Sequence, residues 1–471
     1  MEETPQTKGQ LMEQRLEQAG IEIEKLMGDF PCLRELCHLL KPAAYPAAVF
    51  TGAALFGTLM TRTYYHFYHR AHRERRLNYG IYIIGHPATG KSFAERLYNV
   101  IADPIERQTK ASLKEWNNYK RRLKRWEDGG KKGEGPVKPA FLIRSHPART
   151  ANRVFIEDMM NCVEMVDGKE MNLHQLSFDS ELDNVTTQNR EHWKNKDYME
   201  LKSFHNEKDG EFFLSNDTPL GNFKVYWNYI YTGTPLALKK KINAANIGSG
   251  LATRIAAIPM PKTHYEMMPI DDYDPEKPID ELTPEEQTLR AWAERLDKVH
   301  GELPIRELVL YTYNWVKMRM AEAKEEDSEV IEMMIKRIPY YGINISMPFI
   351  LMRHWHEWQE RGTISIDDTD IRLCQLVMNI QYMCQDYFFG DLWEDYFKKV
   401  NSDDTPPKKR HTELSRIRFR RLPVEFDVNM VQDLCGVKKR NADKMIERWC
   451  EEHYIDRIGT GIYRKLCLEL T

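Results

Sequence analysis

The distribution of apolar and polar residues divides the chain into three kinds of region. Residues 1–78 show helical spacing, with a charged amphipathic stretch from Leu11 to Met27 and an apolar run from Pro46 to Met60. From Tyr79 to Pro261, strand-like apolar runs alternate with helix-like runs, which predicts an α/β sheet with parallel strands. Helical spacing returns over residues 284–400. The predicted strands are Gly80–Ile84, Ala140–Arg144, Leu173–Asp179, Val225–Thr232 and Arg254–Pro259.

Changes in composition mark the expected boundaries between segments. A Pro- and acid-rich stretch precedes Thr283-Pro284, which predicts a helix start with Thr283 as N-cap and Pro284 in the first turn. A strongly basic stretch lies closer to the C-terminus and is typical of a linker. The expected segments are a helical region (1–78), an α/β core (79–262) with a basic insert (108–138), a linker (263–285), a helical lid domain (286–400), a basic linker (401–421) and a C-terminal module (422–471).

The first predicted strand is followed by a glycine-bounded loop with the spacing G-x-x-x-x-G-K-S. Between a strand and a helix, this pattern is typical of a phosphate-binding loop, because glycines let backbone N–H groups converge on phosphate oxygens. Lys91 is expected to reach the β- and γ-phosphates of ATP, and the Ser92 hydroxyl to ligate Mg²⁺. A glycine turn with an unrelated lysine is the alternative. The expected nucleotide contacts are Gly85, His86, Pro87, Ala88, Thr89, Gly90, Lys91, Ser92 and Phe93.

Hydrolysis also needs a carboxylate near Mg²⁺ and a group that activates water. The third predicted strand ends in FDSELD, so Asp179 is expected to help bind Mg²⁺ and Glu181 to polarise the attacking water, with Asp183 a lesser candidate. Ser180 separates the two acids, so their division of roles stays open. The alternative is an acidic helix N-terminus that the helix dipole stabilises.

Two further residues are candidates for sensing or stabilising the γ-phosphate. Thr232 ends the next predicted strand, where its side chain is expected between the loop and the carboxylates, although a plain β-turn fits equally well. Arg254 precedes the last predicted strand. If one strand lies between the loop strand and the carboxylate strand, this position projects from the subunit edge and suits an arginine that acts on a neighbour's ATP. A salt bridge at a strand start is the alternative.

Basic residues cluster at two places, although the whole chain has 68 basic and 71 acidic residues and a net charge of -3. In the insert, Lys and Arg interleave with Trp116, Tyr119 and Trp126, which suits single-stranded nucleic acid or equally a solvated helix. The C-terminal module resembles a winged helix, which suits duplex DNA, or alternatively a docking module. Its expected DNA-facing residues are Lys438, Lys439, Arg440, Lys444, Arg448, Arg457 and Arg464.

Other features limit the class of protein. The apolar run from Pro46 to Met60 is shorter than the ~20 residues of a spanning helix, so we expect a buried helix and no membrane contact. The eight cysteines include no C-x-x-C pair and no secretory signal precedes them, which favours reduced thiols and a cytoplasmic protein. His354 and His356 face apart on a helix, so an exposed helix face is favoured over a metal site.

The ordered motifs resemble ring-forming ATPases of the AAA+ and replicative-helicase type. More narrowly, the chain is similar to an uncharacterised P-loop family of phages and bacterial mobile elements, often found next to primase modules. The resemblance covers about residues 40–400 and implies an α/β P-loop core of the AAA+-like type with N-terminal helices, a helical lid and an oligomeric assembly, of which a ring is one form. The chain has no evident primase residues, so priming would need a partner protein. The matching segments are HPATGKS, Ser180-Glu181, Lys202–Glu211, YTGTP (231–235) and GLATRIAAIPMP (250–261).

We therefore expect an ATP-driven, Mg²⁺-dependent motor that acts on DNA, either as a helicase or as a replication or mobilisation ATPase. An ATP-gated DNA-binding regulator with slow hydrolysis is the second hypothesis. A small-molecule kinase is a third, but it has no need of a helical domain and a winged module.

Overall fold

The computed structural model describes residues 7–139, 142–182, 196–210, 221–265, 281–400, 413–467 and 470. The chain divides into two compact units. The first contains Met1–Tyr313 and Arg337–Trp393, and the second contains Asn314–Lys336 and Glu394–Thr471.

Helices account for much of both units. They are α1 (Lys8–Leu26), α2 (Leu33–Leu36), α3 (Tyr45–Leu59), α4 (Phe93–Ile101), α5 (Asp103–Asp128), α6 (Asn152–Asn161), α7 (Asp197–Ser203), α8 (Pro235–Lys241), α9 (Pro284–Leu296), α10 (Arg306–Glu325), α11 (Glu329–Ile335), α12 (Ile338–Arg353), α13 (Trp355–Arg361), α14 (Asp368–Val400), α15 (Glu413–Arg421), α16 (Val428–Cys435) and α17 (Lys439–Glu451). The predicted start of α9 is confirmed, since Thr283 and Glu286 form a reciprocal capping box and Pro284 opens the helix.

The strands form one central sheet and several small ones. They are β1 (Arg62–His66), β2 (Glu74–Arg75), β3 (Gly80–Ile84), β4 (Val163–Val166), β5 (Lys169–Asn172), β6 (Gln175–Asp179), β7 (Lys208–Gly210), β8 (Asn222–Lys224), β9 (Trp227–Gly233), β10 (Ala256–Pro259), β11 (His300–Glu302), β12 (Glu425–Asp427), β13 (Ile455–Gly459) and β14 (Ile462–Lys465).

The central sheet of the first unit consists of four parallel strands in the order β10-β3-β9-β6. Every residue of β3 and of β9 is buried, as expected for interior strands of a parallel sheet that are mainly apolar. These four strands confirm four of the five predicted ones, with ends shifted by no more than two residues. The sheet therefore places one strand, β9, between the strand that precedes the Gly85–Ser92 loop and the strand that ends at Asp179.

The fifth predicted strand, Ala140–Arg144, is wrong where the structure describes it. Residues 140 and 141 lie outside the described residues, and 142–144 are not in a strand. Hydroxyl groups of α5 accept hydrogen bonds from this backbone: Ser112 from Leu142, and Thr109 from Arg144. Thr109 Oγ1 also accepts from the N–H of Ser145. Because side chains satisfy these donors, contact with β6 is limited to one parallel bridge between Ser145 and Leu176, formed by hydrogen bonds from Leu176 N–H to the Arg144 carbonyl and from His146 N–H to the Leu176 carbonyl.

The expectation that residues 1–78 are helical throughout is also wrong. After α3 the chain forms β1 and β2, which join β11 in a three-stranded sheet. The segment RTYYH contains Thr and aromatic residues, and its burial alternates from one residue to the next. These are properties of a half-buried strand, and in this fold they outweigh the helical pattern of the preceding residues.

Helix α3 lies in the core of the first unit. Every residue from Pro46 to Leu59 is buried, and the helix packs against α12 and against β3 and β9. The predicted buried helix is thereby confirmed. Among the described residues, no helix combines the length and apolar character that crossing a membrane requires.

The C-terminal part of the second unit has its own apolar core. The predicted helix, turn, helix and hairpin are confirmed as α16, Gly436, α17 and β13–β14, and β12 completes a sheet in the order β12-β14-β13. An additional helix, α15, lies where we expected part of the basic linker 401–421. Its Phe419 is fully buried against Trp449, so α15 belongs to this core.

Candidate active site

The Gly85–Ser92 loop connects the carboxyl end of β3 to the start of α4. Gly85 donates its N–H to the carbonyl of Gly233 at 3.0 Å, and a Cβ at Gly85 would lie only 2.5 Å from Thr89 Oγ1 and 2.8 Å from Met260 Cβ. The position therefore has room for glycine alone. The loop then curls through two residues with positive φ, Ala88 (61°) and Gly90 (79°). Alternation of this kind is typical of concave backbone that binds anions.

Lys91 folds back over the loop. Its Nζ donates to the carbonyl oxygens of Gly85 at 2.8 Å and His86 at 2.7 Å. The ammonium group thus lies at the loop, where a phosphate would exchange for these carbonyls. His86, Pro87 and Ala88 are exposed, which leaves this side of the loop open to solvent.

Ser92 is exposed at the N-cap position of α4, and the buried Phe93 anchors the first turn. The first N–H groups of a helix lack intrahelical acceptors and carry a partial positive charge. The Ser92 hydroxyl is therefore next to a site that favours anions. Thr89 and Gly90, which precede it in the loop, are half-buried.

The structure brings Asp179 and Thr232 to the same edge of the sheet as the loop. Thr232 is opposite Ile83 of β3, and Asp179 is opposite Tyr231, so both lie at carboxyl ends of neighbouring strands. Thr232 is buried and its Oγ1 donates to the carbonyl of Ser180 at 2.5 Å. The threonine therefore links the central strand to the acidic segment that follows β6.

The two acidic candidates differ in exposure. Asp179 is half-buried, and its Oδ1 accepts the N–H of Glu181 at 2.9 Å, which fixes the turn after β6. Glu181 itself is exposed. Asp183, the lesser candidate, lies outside the described residues. The arrangement keeps one carboxylate next to the sheet and leaves the other accessible to solvent.

Arg254 lies at the amino ends of the strands, whereas the loop lies at their carboxyl ends. β10 is parallel to β3, with Ala256 opposite Ile81, so Arg254 precedes the amino end of β10 while Gly85 follows the carboxyl end of β3. Arg254 is level with Tyr79 in this register, six residues before Gly85, so the separation along the strands is about 20 Å. Arg254 is half-buried, and its Nη1 donates to the carbonyl of Gly250 at 3.2 Å. The arginine is therefore held by its own turn and lies far from the loop of its own chain.

An open pocket of about 730 Å³ lies beside Ser92, between α4 and α9. Its lining is mostly charged or polar and has both signs. Arg290 bridges the two helices by donating to the carbonyl of Asn99 at 3.2 Å. The pocket extends the candidate site beyond the loop, and no sequence motif indicated it, because its residues come from separate segments. The main lining residues are Ser92, Glu95, Arg96, Asn99, Asp103, Glu286 and Arg290.

His354 belongs to an ion-pair network and not to an exposed helix face. His354, Asp367 and Asp370 bring three ligand atoms within 4.8 Å of one another, the spacing of a metal site. Arg353 already pairs with Asp367 at 2.7 Å and with Asp370 at 3.0 Å. Because the guanidinium supplies the positive charge that these carboxylates need, the cluster is explained as a structural network.

The basic insert (108–138) contains the solvent-exposed part of α5, residues 110–128, which we call the α5 extension. Only Pro104, Ile105 and Thr109 of this helix are buried, so the remaining residues to Asp128 are largely in solvent. Trp116 stacks on Tyr119 with ring centroids 5.4 Å apart, and the ammonium of Lys120 lies 5.2 Å from the Trp116 ring. The extension thus presents aromatic faces among positive charges.

The second helix of the C-terminal module carries both charge signs. Arg440 pairs with Glu394, and Arg448 with Glu452 at 3.0 Å, while Asp443 and Glu447 are exposed on the same helix. Lys439 is also exposed. The basic surface that we expected on α17 is therefore partly neutralised within the second unit.

No protein-family model matches the chain, and no curated protein resembles it at a significant level. A function for the chain therefore has to be argued from the residues that the fold brings together. The strongest such grouping is the Gly85–Ser92 loop with Asp179 and Thr232.

Proposed function

We propose that the chain binds ATP at the Gly85–Ser92 loop and hydrolyses it, and that hydrolysis drives work on DNA. The main support is the position of the loop, Asp179 and Thr232 at adjacent carboxyl ends of three neighbouring strands. In open parallel sheets, ligands bind outside the carboxyl ends of the strands. The positive φ values at Ala88 and Gly90 and the start of α4 add an anion-binding backbone at that edge.

Ser92 and Asp179 suit Mg²⁺, because a hydroxyl and a carboxylate are the hard oxygen ligands that this ion prefers. Mg²⁺ would supply charge neutralisation on the phosphates. The protein residues have separate roles: Lys91 exchanges the carbonyls of Gly85 and His86 for phosphate oxygens, and Thr232 keeps the acidic segment beside the loop. Glu181, which is exposed, accepts the proton of the attacking water.

DNA is the proposed substrate of the motor, and the α5 extension is its proposed single-strand contact. Aromatic rings among lysines and arginines provide stacking and phosphate pairing together. The C-terminal module is a further proposed contact, for duplex DNA, because its helix, turn, helix and hairpin have the connectivity of a winged helix.

Arg254 is proposed to act on the ATP of a neighbouring subunit. Its position at the far edge of the sheet separates it from the loop of its own chain, and β10 is the outermost strand of the described sheet. A homo-oligomer such as a ring brings Arg254 of one subunit next to the Gly85–Ser92 loop of another.

Isothermal titration with ATP and Mg²⁺ tests binding, and a steady-state hydrolysis assay tests turnover, with Lys91→Ala and the exposed Lys240→Ala as a matched pair. Loss of the charge-assisted contacts of Lys91 is expected to weaken hydrolysis about 100-fold or more. Lys240→Ala should retain full activity. Folded parent protein that releases no heat with ATP, ADP or GTP would rule out the proposal.

The second candidate is an ATP-gated DNA-binding regulator, which the C-terminal module favours. A motor predicts that single-stranded DNA stimulates hydrolysis and that removal of residues 108–138 abolishes the stimulation. A regulator predicts slow turnover that DNA does not change, with duplex binding that survives removal of 108–138 but not removal of the module. Steady-state hydrolysis and duplex-binding assays on the two deletions distinguish them.

A further inference from the structure

Four basic side chains from distant parts of the sequence converge at the amino edge of the central sheet. They are Arg75 at the end of β2, His205 after α7, Arg254 before β10 and Arg337 before α12, and we call them the Arg254 cluster. Arg75 Nη1 lies 3.4 Å from His205 Nδ1. Arg337 Nη1 donates to Thr253 Oγ1 at 2.6 Å, and Thr253 directly precedes Arg254 in the chain.

Within the described part of the chain, the guanidinium groups of this cluster have no carboxylate at ion-pair distance. Arg75, Arg254 and Arg337 form no ion pair with any residue that the structure describes. Arg75 is only 9% exposed, and the Nε atoms of Arg75 and Arg254 are buried without a hydrogen-bond acceptor. Removing an unpaired charge from water is unfavourable, so this arrangement favours binding of an anion from elsewhere.

The pKa values in the cluster have the direction that uncompensated positive charge produces. Burial, together with the neighbouring arginines, lowers the pKa of His205 to about 3. Burial also lowers the pKa of Arg254 and of Arg337, and the carboxylate of Glu207, which is exposed, opposes this only in part. Neutral His205 therefore offers a hydrogen bond without adding a further charge.

Local backbone geometry fixes the direction of the central guanidinium. Gly250 has a φ of +80°, and a Cβ there would lie 2.8 Å from Arg254 Nη1. Glycine thus leaves the space in which Arg254 reaches the carbonyl of Gly250. A guanidinium held by backbone loses little entropy when an oxyanion binds its remaining N–H groups.

We propose that the Arg254 cluster is a phosphate-binding site distinct from the Gly85–Ser92 loop. Three guanidinium groups with open N–H donors match the charge and the several oxygens of a phosphate better than those of a single carboxylate. Two sources would present the same chemistry: the triphosphate in a neighbouring subunit or the backbone of a bound DNA strand. Only the choice of source depends on the proposed function.

Thermal unfolding with pyrophosphate tests the site in a Lys91→Ala background, in which the loop lysine is absent. At matched ionic strength against chloride, pyrophosphate is expected to raise the melting temperature by about 3 °C. Arg254→Gln should remove most of this rise. The same substitution should raise the melting temperature without pyrophosphate, because it removes a half-buried charge that repels its neighbouring arginines.

The exposed Arg34→Gln is the matched control and should change neither value. Opposite effects with and without the anion distinguish a binding site from a purely structural arginine, whose loss lowers both melting temperatures. An equal pyrophosphate-dependent rise in Arg254→Gln and in the control would overturn the proposal. If the protein does not bind ATP but gives the expected pyrophosphate result, the proposed phosphate site is supported and the proposed ATPase function is not.

Two assays with Arg337→Gln distinguish the sources of phosphate. Recovery of hydrolysis in mixtures of Arg337→Gln and Lys91→Ala subunits identifies the neighbour's triphosphate. A smaller salt dependence of oligo(dT) binding by Arg337→Gln, with a slope reduced by about 0.7, identifies the DNA backbone. If neither assay responds and the pyrophosphate effect is also absent, the cluster is not a phosphate site.

Discussion

Gly85 illustrates how single residues determine the geometry of the candidate site. Its α-carbon faces Thr89 and Met260 at distances that leave no space for a side chain. The motif predicts a glycine here, but the reason is local packing against the residue that follows β10, which no motif specifies. The carbonyls that hold Lys91 and the positive φ of Ala88 are likewise evident only in the structure.

Gly85→Ala is expected to lower the free energy of unfolding by about 1–3 kcal/mol, because the added methyl group overpacks this site. Urea unfolding at pH 7 measures the change. Gly28→Ala is the control, since nothing lies within 4 Å of a Cβ built at Gly28 and the expected change is within about 0.5 kcal/mol. Equal stability of the two variants would contradict the packing argument.

His205 makes stability depend on pH. Its pKa is about 3 in the fold and about 6.5 in an unfolded chain, so the unfolded chain binds more protons between these values. The contribution of His205 to the free energy of unfolding therefore falls as pH decreases below about 6.5, by up to about 1.4 kcal/mol per pH unit, and is constant above it.

His205→Asn should reduce this dependence when urea unfolding is compared at pH 7, 6 and 5, while His174, whose pKa burial also lowers, retains its own share. His356→Asn, at an exposed position, is the control and should keep the slope of the parent protein. A parent slope unchanged by His205→Asn would show that other groups cause the acid sensitivity.

At the scale of elements, the sequence predicts some strands well and others poorly. β3 is a continuous apolar run and β9 is mainly apolar, so their burial in a parallel sheet follows from the pattern. The Ala140–Arg144 prediction fails because hydroxyls of α5 take the hydrogen bonds that a neighbouring strand would have accepted. The Arg254 cluster is not predictable from the sequence, because its four residues are separated by up to 262 positions (337 minus 75) and meet only through the fold.

A buried ion pair joins α7 to α8. Lys241 Nζ lies 2.7 Å from Glu200 Oε2, with the two side chains 2% and 1% exposed, and Tyr82 of β3 donates to the same carboxylate at 3.1 Å. Lys241→Met leaves Glu200 buried without its cation and is expected to cost about 3–5 kcal/mol of unfolding free energy. Lys240→Met, on the exposed side of α8, should cost little.

The double variant Lys241→Met/Glu200→Gln completes this measurement. Removing both charges should recover part of the loss, because no uncompensated charge then remains in the core. Guanidinium unfolding of the four proteins gives the coupling energy. Additive losses would indicate that the pair contributes nothing as a pair.

The α5 extension is expected to bind single-stranded DNA mainly through its charges. Lys120→Ala/Lys124→Ala should reduce the salt slope of oligo(dT) binding by about 1.4, at about 0.7 for each lost phosphate contact. Fluorescence anisotropy over a range of salt concentrations measures the slope. The exposed pair Lys239→Ala/Lys240→Ala serves as control, and an equal effect of both pairs would argue against the extension as the binding surface.

For the whole molecule, the structure moves one expected boundary. The C-terminal core includes Phe419 and Leu422, so α15 is part of the module that we expected to begin at residue 422. The basic composition of 401–421 indicates a linker. Phe419 is a single aromatic residue among basic ones, so the sequence pattern does not predict that α15 packs into the core.

A chain that ends at Arg421 should therefore expose Phe419 and aggregate. A chain that ends at residue 412 lacks α15 and should remain monodisperse apart from any native assembly. Size-exclusion chromatography with light scattering compares the two. The buried contact between Phe419 and Trp449 is the physical reason, since truncation at 422 removes only one partner. Similar behaviour of both proteins would return the boundary to residue 422.

The position of Arg254 on the far side of the sheet from Gly85 has a kinetic consequence. If catalysis needs both groups at one phosphate, an isolated molecule contains two incomplete halves and no whole catalytic centre. Turnover per molecule should then fall steeply on dilution and recover on concentration, whereas the turnover of an enzyme that is active as a single chain does not depend on its concentration.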